Sequence, residues 1–340
     1  MNQTSLIKQI IIIIAIVFVI GTYVFYNADD SYFFATKENY PTAGEGLVEI
    51  DIHDFTLADE ESIRRVAKLD KEAEFKTTEN IPVINGSSAF LPAYAAFVYE
   101  VYPEGTTLGS KYFKCEDQTN GYKSLISGTT DIYIGMQPDD LILELANSAN
   151  VELQFTPIGM EAIYFYVSGD NPINDLTSEN IRDIYSGRIA NWNELGVHDG
   201  WIEAYQQSSI FSDSRKAFEA YMGALEIIEP ELVRKDYYGD IIYVPPAYTN
   251  SPDAIGYSLR YYPVTFTSVH DSDDVIKFLS IDGIKPNDED VVSGKYPVMA
   301  PFYAVTVKGN DNPNVQLLLD WIVSDEGQEL LEKTGYAGIN

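Results

Sequence analysis

The chain has 340 residues, 45% of them hydrophobic and 13% aromatic, which is enough apolar material to bury a core and to build two lobes. Lys plus Arg number 22 against 52 Asp plus Glu, and the field around a surface of formal charge -30 repels phosphate-rich polymers, which excludes nucleic acid as a partner. Cys115 is the sole cysteine, so an intramolecular disulfide and a multi-cysteine metal site are both ruled out.

Residues 10–26, "IIIIIAIVFVIGTYVFY", carry no charge and lie between Lys8 and the acidic pair Asp29 and Asp30. At about 1.5 Å per residue this run, extended through Leu6 and Ile7 with Lys8 snorkelling, nearly spans a hydrocarbon core of about 30 Å. Cleavage of a signal peptide wants small residues before the cut, and Tyr26, two positions before Ala28, does not suit that site. The expectation is an uncleaved transmembrane helix within 1–29, a single-pass anchor in the cell membrane. Lys8 on one side and the acidic pair on the other direct residues 30–340 to the extracytoplasmic face. No cysteine follows the run to take a lipid.

Residues 30–79 read as a polar spacer. Within it "ADEESIRRVAKLDKEAEF" is a solvated helix or a tether, with Ile63, Val66 and Leu69 as a thin apolar stripe. From Ile81 the pattern changes. "IPVING" is a short strand ending in glycine, and "SSAFLPAYAAFVYEVYP" is a helix for which Ser88 is the best N-cap, since that leaves Pro92 in the first turn. "YFKC" is strand-like, "NGYKSLISG" helical, "DIYIGM" a buried strand and "EAIYFYVSG" another. "LTSENIRDIYSG" is a helix begun by Thr177 and ended by Gly187. Such alternation predicts an α/β architecture with parallel strands. Near the C-terminus Asn312 and Pro313 start a helix through Val315, Leu318, Leu319 and Ile322. Ser324 restarts it, and Gly335 stops it.

Enzyme signatures are missing from the sequence: no G-x-S-x-G, H-E-x-x-H, Walker loop or G-x-G-x-x-G occurs. His53, His198 and His270 are scattered, each beside aspartate in an expected loop, and read as solvated surface residues. "HDSDDV" at 270–275 lacks the glycine and spacing of a calcium loop and reads as an acidic helix start. No enzyme activity, metal or cofactor is expected. Two helix starts could hold a ligand. At "NGSSAF" the hydroxyls of Ser87 and Ser88 sit beside outward-pointing backbone N–H groups, a geometry that suits an oxyanion and equally an ordinary cap. At "SSIFSDSRKAF" Ser212 and Ser214 offer the same choice, with Arg215 nearby to add positive charge.

Taken in order, six stretches resemble the phosphate-type solute-binding proteins of bacterial ABC importers in their Gram-positive form. They are "IPVINGSSAFLPAYAAFVYEVYP", "GYKSLISGTTDI", "NPINDLTSENIRDIYSGRIANWNELG", "AIGYSLRYYP", "IKFLSIDGIKPNDEDVVSGKYPVMAPFYAV" and "NPNVQLLLDWIVSDEGQELLEKTGY", and the resemblance covers about residues 78–340. "IYSGRIANWNELG" is the most specific.

The resemblance implies a two-lobe periplasmic-binding-protein-like fold (type II) behind the anchor. Lobe one would take 80–162 plus 260–340 and lobe two 163–259, with "GMEAIYFYV" and "AIGYSLRYY" as the crossings. Trp192 would belong to the core of lobe two. A small-molecule ligand, phosphate or another small oxyanion, would be held between the lobes of a monomer and delivered to an ABC permease. The other function open at this point is a non-transporting relative, a sensor or surface interaction protein with altered or lost ligand specificity.

Carried over by position, the resemblance places Ser88 and Ala89 in the first ligand loop and Gln118 and Thr119 in the second. The carboxylate that some members carry after the "DI" strand falls on Met136. In the fourth stretch Ser208 stands where the family has arginine, Ser212 where it has serine, Asp213 where it has glycine and Ser214 at the last hydroxyl, with Arg215 following. Asp213 opposes a phosphate dianion: two like charges about 4 Å apart repel by about 4 kcal/mol at an effective dielectric of 20. The missing guanidinium removes a bidentate partner, unless Arg215 swings in. Glu116, Asp117, Asp139 and Asp140 would make the cleft mouth more acidic still.

Overall fold

The computed structural model describes residues 66–206, 212–228, 251–264 and 276–339, so the apolar run at 10–26, His53, Ser208 and the acidic stretch 270–275 lie outside the described residues. Among the described residues no helix is long and apolar enough to cross a membrane.

The first element is β1 (Ile84–Gly86), followed by a 3-10 turn at Ser88–Phe90 and α1 (Leu91–Val101). The N-cap differs from the sequence expectation by one residue: Ser87, not Ser88, accepts the N–H of Ala89, at 3.3 Å. The reason is the 3-10 turn, which Pro92 tolerates because its missing N–H falls within the unpaired first turn of α1. "YFKC" runs beside β1 without becoming a full strand. Ile84 N–H donates to the Tyr112 carbonyl (2.9 Å), and the N–H groups of Lys114 and Glu116 donate to the carbonyls of Ile84 and Gly86. This pairing carries the chain to α2 (Gln118–Ile126) directly alongside the end of β1.

Next come β2 (Ile132–Gly135), α3 (Asp140–Ser148) and the 16-residue β3 (Leu153–Ser168), then β4 (Asp175–Leu176) and α4 (Ser178–Tyr185). The expected bounds of α4 hold. Thr177 and Asn180 form a reciprocal capping box, and Gly187 takes φ +73, a left-handed conformation that only glycine adopts without strain. A 3-10 turn at Trp192–Leu195 precedes β5 (Glu203–Ala204), α5 (Asp213–Met222) and β6 (Ala254–Leu259). The last part contains β7 (Ile276–Phe278), β8 (Ser280–Ile281), α6 (Asp288–Val292), β9 (Met299–Val307), α7 (Asn314–Ile322) and α8 (Asp325–Glu332). Ser324 caps α8, as the sequence predicts, by accepting from Gly327 N–H.

The α/β class holds, but the main sheet is mixed rather than parallel. Its order is β1-β2-β9-β3-β6-β5, with β7 also on β3. β1 with β2 and β5 with β6 are parallel, whereas β9 runs antiparallel to both β2 and β3, and β3 antiparallel to β6 and β7. β9 reaches the sheet from far along the chain, so local alternation of strands and helices carries no information about its direction. β3 divides its partners: Leu153–Ala162 pairs with β9, and Ile163–Val167 pairs with β6 in the register Ile163↔Leu259 to Val167↔Ile255. "GMEAIYFYV" and "AIGYSLRYY" are therefore neighbours in one ladder.

Two aromatic groups pin the helices to this sheet. Phe90 stacks on Phe302 at 4.6 Å with Tyr336 beside both, and Phe218 of α5 lies 4.1 Å from Tyr257 and 4.8 Å from Tyr185. Each such pair adds about 0.5–1.5 kcal/mol beyond its buried area. Trp192 is fully buried, as expected, with its indole N–H donating to Asp253 at 2.9 Å. His198 is not a freely solvated residue: it is half-buried, stacked beside Trp192 and bonded to Asp253. Residues 66–79, which the sequence assigns to the spacer, are extended and lie on the core. Val66 and Ala73 are buried, Leu69 N–H donates to Glu100, and Thr77 N–H donates to the Val101 carbonyl at the end of α1.

Candidate functional site

Three helix approaches converge. At the end of β1, Ser87 N–H donates to Ile134 of β2 (2.9 Å), and the Tyr94 hydroxyl donates to the Gly86 carbonyl (3.1 Å). Ala89 is fully buried behind this turn. Ser88 is partly buried, and its hydroxyl shares a 2.9 Å hydrogen bond with the hydroxyl of Tyr262, which follows β6. Nothing in the sequence signals that partnership, because 174 positions separate the two residues.

The second approach is α2. Asp117 caps it by accepting from Asn120 N–H at 3.0 Å, and the Tyr122 hydroxyl donates to the Met136 carbonyl at 2.7 Å. A Cβ on Gly121 would lie 2.0 Å from the Tyr133 ring, so glycine is what lets α2 sit this close to β2. The helix therefore starts with Gln118 and Thr119 buried. Met136 is buried, and an apolar side chain stands where the family's carboxylate was expected. Of the acidic residues expected near the mouth, Asp139 caps α3, Asp140 is exposed in its first turn, and Glu116 accepts from Asn85 and Ser124.

The third approach is α5. Ser212 caps it by accepting from Arg215 N–H at 3.1 Å. Asp213 is the first helical residue and only 1% exposed. Ser214 turns its hydroxyl away from the helix end to accept from Leu259 N–H at 3.1 Å, so it fastens α5 to β6. Arg215 is engaged within and beside α5. Its guanidinium donates to Glu219 (3.0 Å) and to Gln206 (2.6 Å).

The second and third approaches meet where Gln118 Nε2 donates to Asp213 Oδ1 at 3.3 Å, a buried contact between the first residues of α2 and α5. The Asp213 carboxylate is also felt by its neighbours: burial first and that charge second push the Tyr122 and Tyr133 phenols well above the usual tyrosine value. Among the described residues Gln118 Oε1, Thr119 Oγ1, Tyr133 OH and Asp139 Oδ2 are buried without a hydrogen-bond partner. A buried polar atom left unpaired costs about 1–3 kcal/mol, so each of these atoms calls for a further partner, a water or a ligand. Of the residues placed by resemblance, Gln118, Thr119, Ser212 and Asp213 are together, Ser88 and Ala89 lie at the neighbouring turn, and Ser214 and Arg215 serve α5 itself. Tyr133 and Tyr262 were missed. Each lies in an apolar, aromatic-containing segment, where its type alone gives no hint of a site.

A family model, the PBP superfamily domain, matches residues 73–326. The chain belongs to this superfamily. Among curated relatives, it is 28% identical over 259 residues to the phosphate-binding protein PstS of Bacillus subtilis, covering 74% of this chain and 79% of that protein. Among solved structures, a candidate phosphate ABC transporter substrate-binding protein with bound phosphate from Clostridium perfringens matches with a TM-score of 0.53 at 23% identity, over 76% of this chain and 99% of the other. An ABC-type phosphate transport receptor from Vibrio cholerae matches with a TM-score of 0.51 at 17% identity, over 75% and 99%. These likenesses establish the PBP-like fold. Within it, the meeting of α2 and α5 is the polar interior described above.

Proposed function

We propose that this chain is an extracytoplasmic solute-binding protein of the phosphate-importer type, which captures a small oxyanion, phosphate, between two lobes and delivers it to a membrane permease. It catalyses no reaction. The lobes are residues 80–162 with 260–340, and 163–259; β3 and β6 cross between them, and closure brings α2 and α5 together. The observation that carries this reading is the buried Gln118–Asp213 contact, beside Gln118 Oε1 and Thr119 Oγ1, which are buried with no hydrogen-bond partner among the described residues. The phosphate-binding relatives support phosphate as the ligand. The apolar run at 10–26 anchors the protein as a single pass, with the soluble part outside and acting as a monomer.

Titration calorimetry of purified full-length protein in detergent, with phosphate and with neutral and cationic solutes, tests the reading. Saturable phosphate binding is expected, and its absence from a protein that melts cooperatively overturns the assignment. Protease added to intact cells should remove the soluble part. Protection of that part would reverse the orientation.

A further inference from the structure

The end of β6 ties together two of the three helix approaches. Leu259 N–H donates to the Ser214 hydroxyl of α5 (3.1 Å), and three residues further on the Tyr262 hydroxyl meets the Ser88 hydroxyl at 2.9 Å. Between them Arg260 is fixed by Glu161 and Asp288, each at 3.1 Å. Its guanidinium also lies 5.0 Å from the centre of the Tyr336 ring, whose hydroxyl donates to the Ala89 carbonyl at 2.7 Å. The stretch 259–262 is therefore an anchored bar with one tie to α5, one to Ser88 and, through Tyr336, one to Ala89.

Ser88 stands beside the start of α2 as well. Glu116 N–H donates to the Gly86 carbonyl (3.1 Å), so the chain leaving β1 and the chain entering α2 run together here. Ser88 lies two residues beyond Gly86, and Gln118 two beyond Glu116. At that helix start Gln118 Oε1 and Thr119 Oγ1 are buried with no hydrogen-bond partner among the described residues. The Ser88 side chain is only partly buried, whereas Tyr262 is wholly enclosed. The tyrosine is the fixed member of the pair, and the serine is the one that can reach a ligand.

Which hydroxyl donates decides the consequence, because each has a single hydrogen. A phenol is a stronger donor and a weaker acceptor than an aliphatic hydroxyl, since the ring draws on its oxygen lone pairs. With Tyr262 donating, Ser88 keeps its own hydrogen and turns it away from the tyrosine. There it joins the backbone N–H groups that a helix start leaves open, and a bond from it to an anion is charge-assisted. In the opposite sense the serine spends its hydrogen on Tyr262 and meets an anion with lone pairs. Resting on the function proposed above, we infer that Tyr262 is a positioning residue for ligand capture. Its hydroxyl donates to Ser88 and so presents the Ser88 hydrogen to the bound oxyanion.

The test is titration calorimetry of full-length protein with inorganic phosphate, run as a double-mutant cycle of Tyr262→Phe and Ser88→Ala. Affinity should fall roughly fivefold in Tyr262→Phe and roughly tenfold in Ser88→Ala, and the double variant should lose no more than Ser88→Ala alone. The cycle isolates the part of the phenol's effect that passes through Ser88, since any other role of Tyr262 would reappear in the Ser88→Ala background. Thermal melting followed by circular dichroism checks that each variant is folded. Should either single variant fail to melt cooperatively, a ring-fluorinated tyrosine in place of Tyr262, a stronger donor of nearly the same size, decides. Tighter phosphate binding then supports the inference, and unchanged or weaker binding overturns it. Wild-type affinity in a folded Tyr262→Phe or Ser88→Ala overturns the inference and leaves phosphate capture standing. A Tyr262→Phe loss that recurs in full in the double variant does the same. Failure of the wild type to bind phosphate overturns the inference together with the function beneath it.

Discussion

Arg260 Nε donates to Glu161 Oε1 at 3.1 Å inside the protein, at the end of the ladder that joins β3 to β6. The same guanidinium reaches Asp288 at 3.1 Å and lies 5.0 Å from the centre of the Tyr336 ring. Burial works against the Arg260 cation, and Glu161, Tyr336 and Asp288 more than offset it, so its pKa is raised. For Glu161, burial outweighs the pull of Arg260 and lifts the pKa from the usual 4.5 to about 7. Its second oxygen has no hydrogen-bond partner among the described residues.

A stability slope follows. Between about 4.5 and about 7 the folded protein holds a proton on Glu161 that the unfolded chain has released. This carboxyl's contribution is fully present below the lower value and is lost as pH rises through the upper one. Glu161→Gln imitates the neutral acid and should erase the slope. In urea unfolding at about pH 5 and about pH 8, the wild type should lose about 2–3 kcal/mol relative to the variant across that interval. Parallel stability curves for the two proteins would show that Glu161 does not titrate in this window.

Close packing of α2 on β2 gives a second expectation. A methyl group at Gly121 would lie 2.0 Å from Tyr133 Cε2 and 2.6 Å from Cδ2, so Gly121→Ala forces the ring or the helix to move. Overpacking of this kind costs about 1–3 kcal/mol. Both the melting temperature and phosphate affinity should drop, since Gln118 and Thr119 begin the displaced helix. A variant with wild-type melting would mean that the α2–β2 contact yields without cost.

How much of this was legible depends on the range of each interaction. Caps act over three residues, and Thr177 and Ser324 were readable because their hydroxyls and the N–H groups they accept lie within one turn, whereas at α5 the sequence left more than one candidate and the structure selects Ser212. Ser87 was mistaken for a flanking residue because two adjacent serines look alike in the sequence and only the 3-10 turn separates their roles. Features of the site formed by distant residues were not readable: Gln118 meets Asp213 across 95 positions and Ser214 meets Leu259 across 45. Alignment with a family could place those residues in ligand loops but not reveal that Ser214 ties α5 to β6 or that Arg215 is bound to Glu219 and Gln206. The direction of β9 was hidden for the same reason.

The cap of α5 is separable from ligand capture. Ser212→Ala removes the acceptor for Arg215 N–H and should cost about 1 kcal/mol in urea unfolding without ligand, whereas Ser212→Gly should cost only a few tenths. Equal losses for the two variants would mean that the hydroxyl matters through some contact other than the cap.

The last expectation concerns Cys115, which sits between Tyr94 and the acidic residues at the start of α2. Burial pushes its thiol from 9.0 up to about 12, the hydrogen bond with Tyr94 pulls it down, and the charges of Glu116, Asp117 and Asp213 add to the rise. Only the thiolate reacts, so at about pH 8 an aromatic disulfide reagent should modify Cys115 roughly a hundredfold more slowly in the folded protein than after denaturation in guanidinium. The reaction is followed by absorbance, with the denatured sample giving the full amplitude of one thiol. Asp213→Asn removes one of the opposing charges and should quicken the folded protein's reaction modestly, while phosphate bound beside Asp213 should slow it. Fast modification of the native protein would place Cys115 in an open, electropositive setting and contradict the acidic, desolvated neighbourhood in which Asp213 is set.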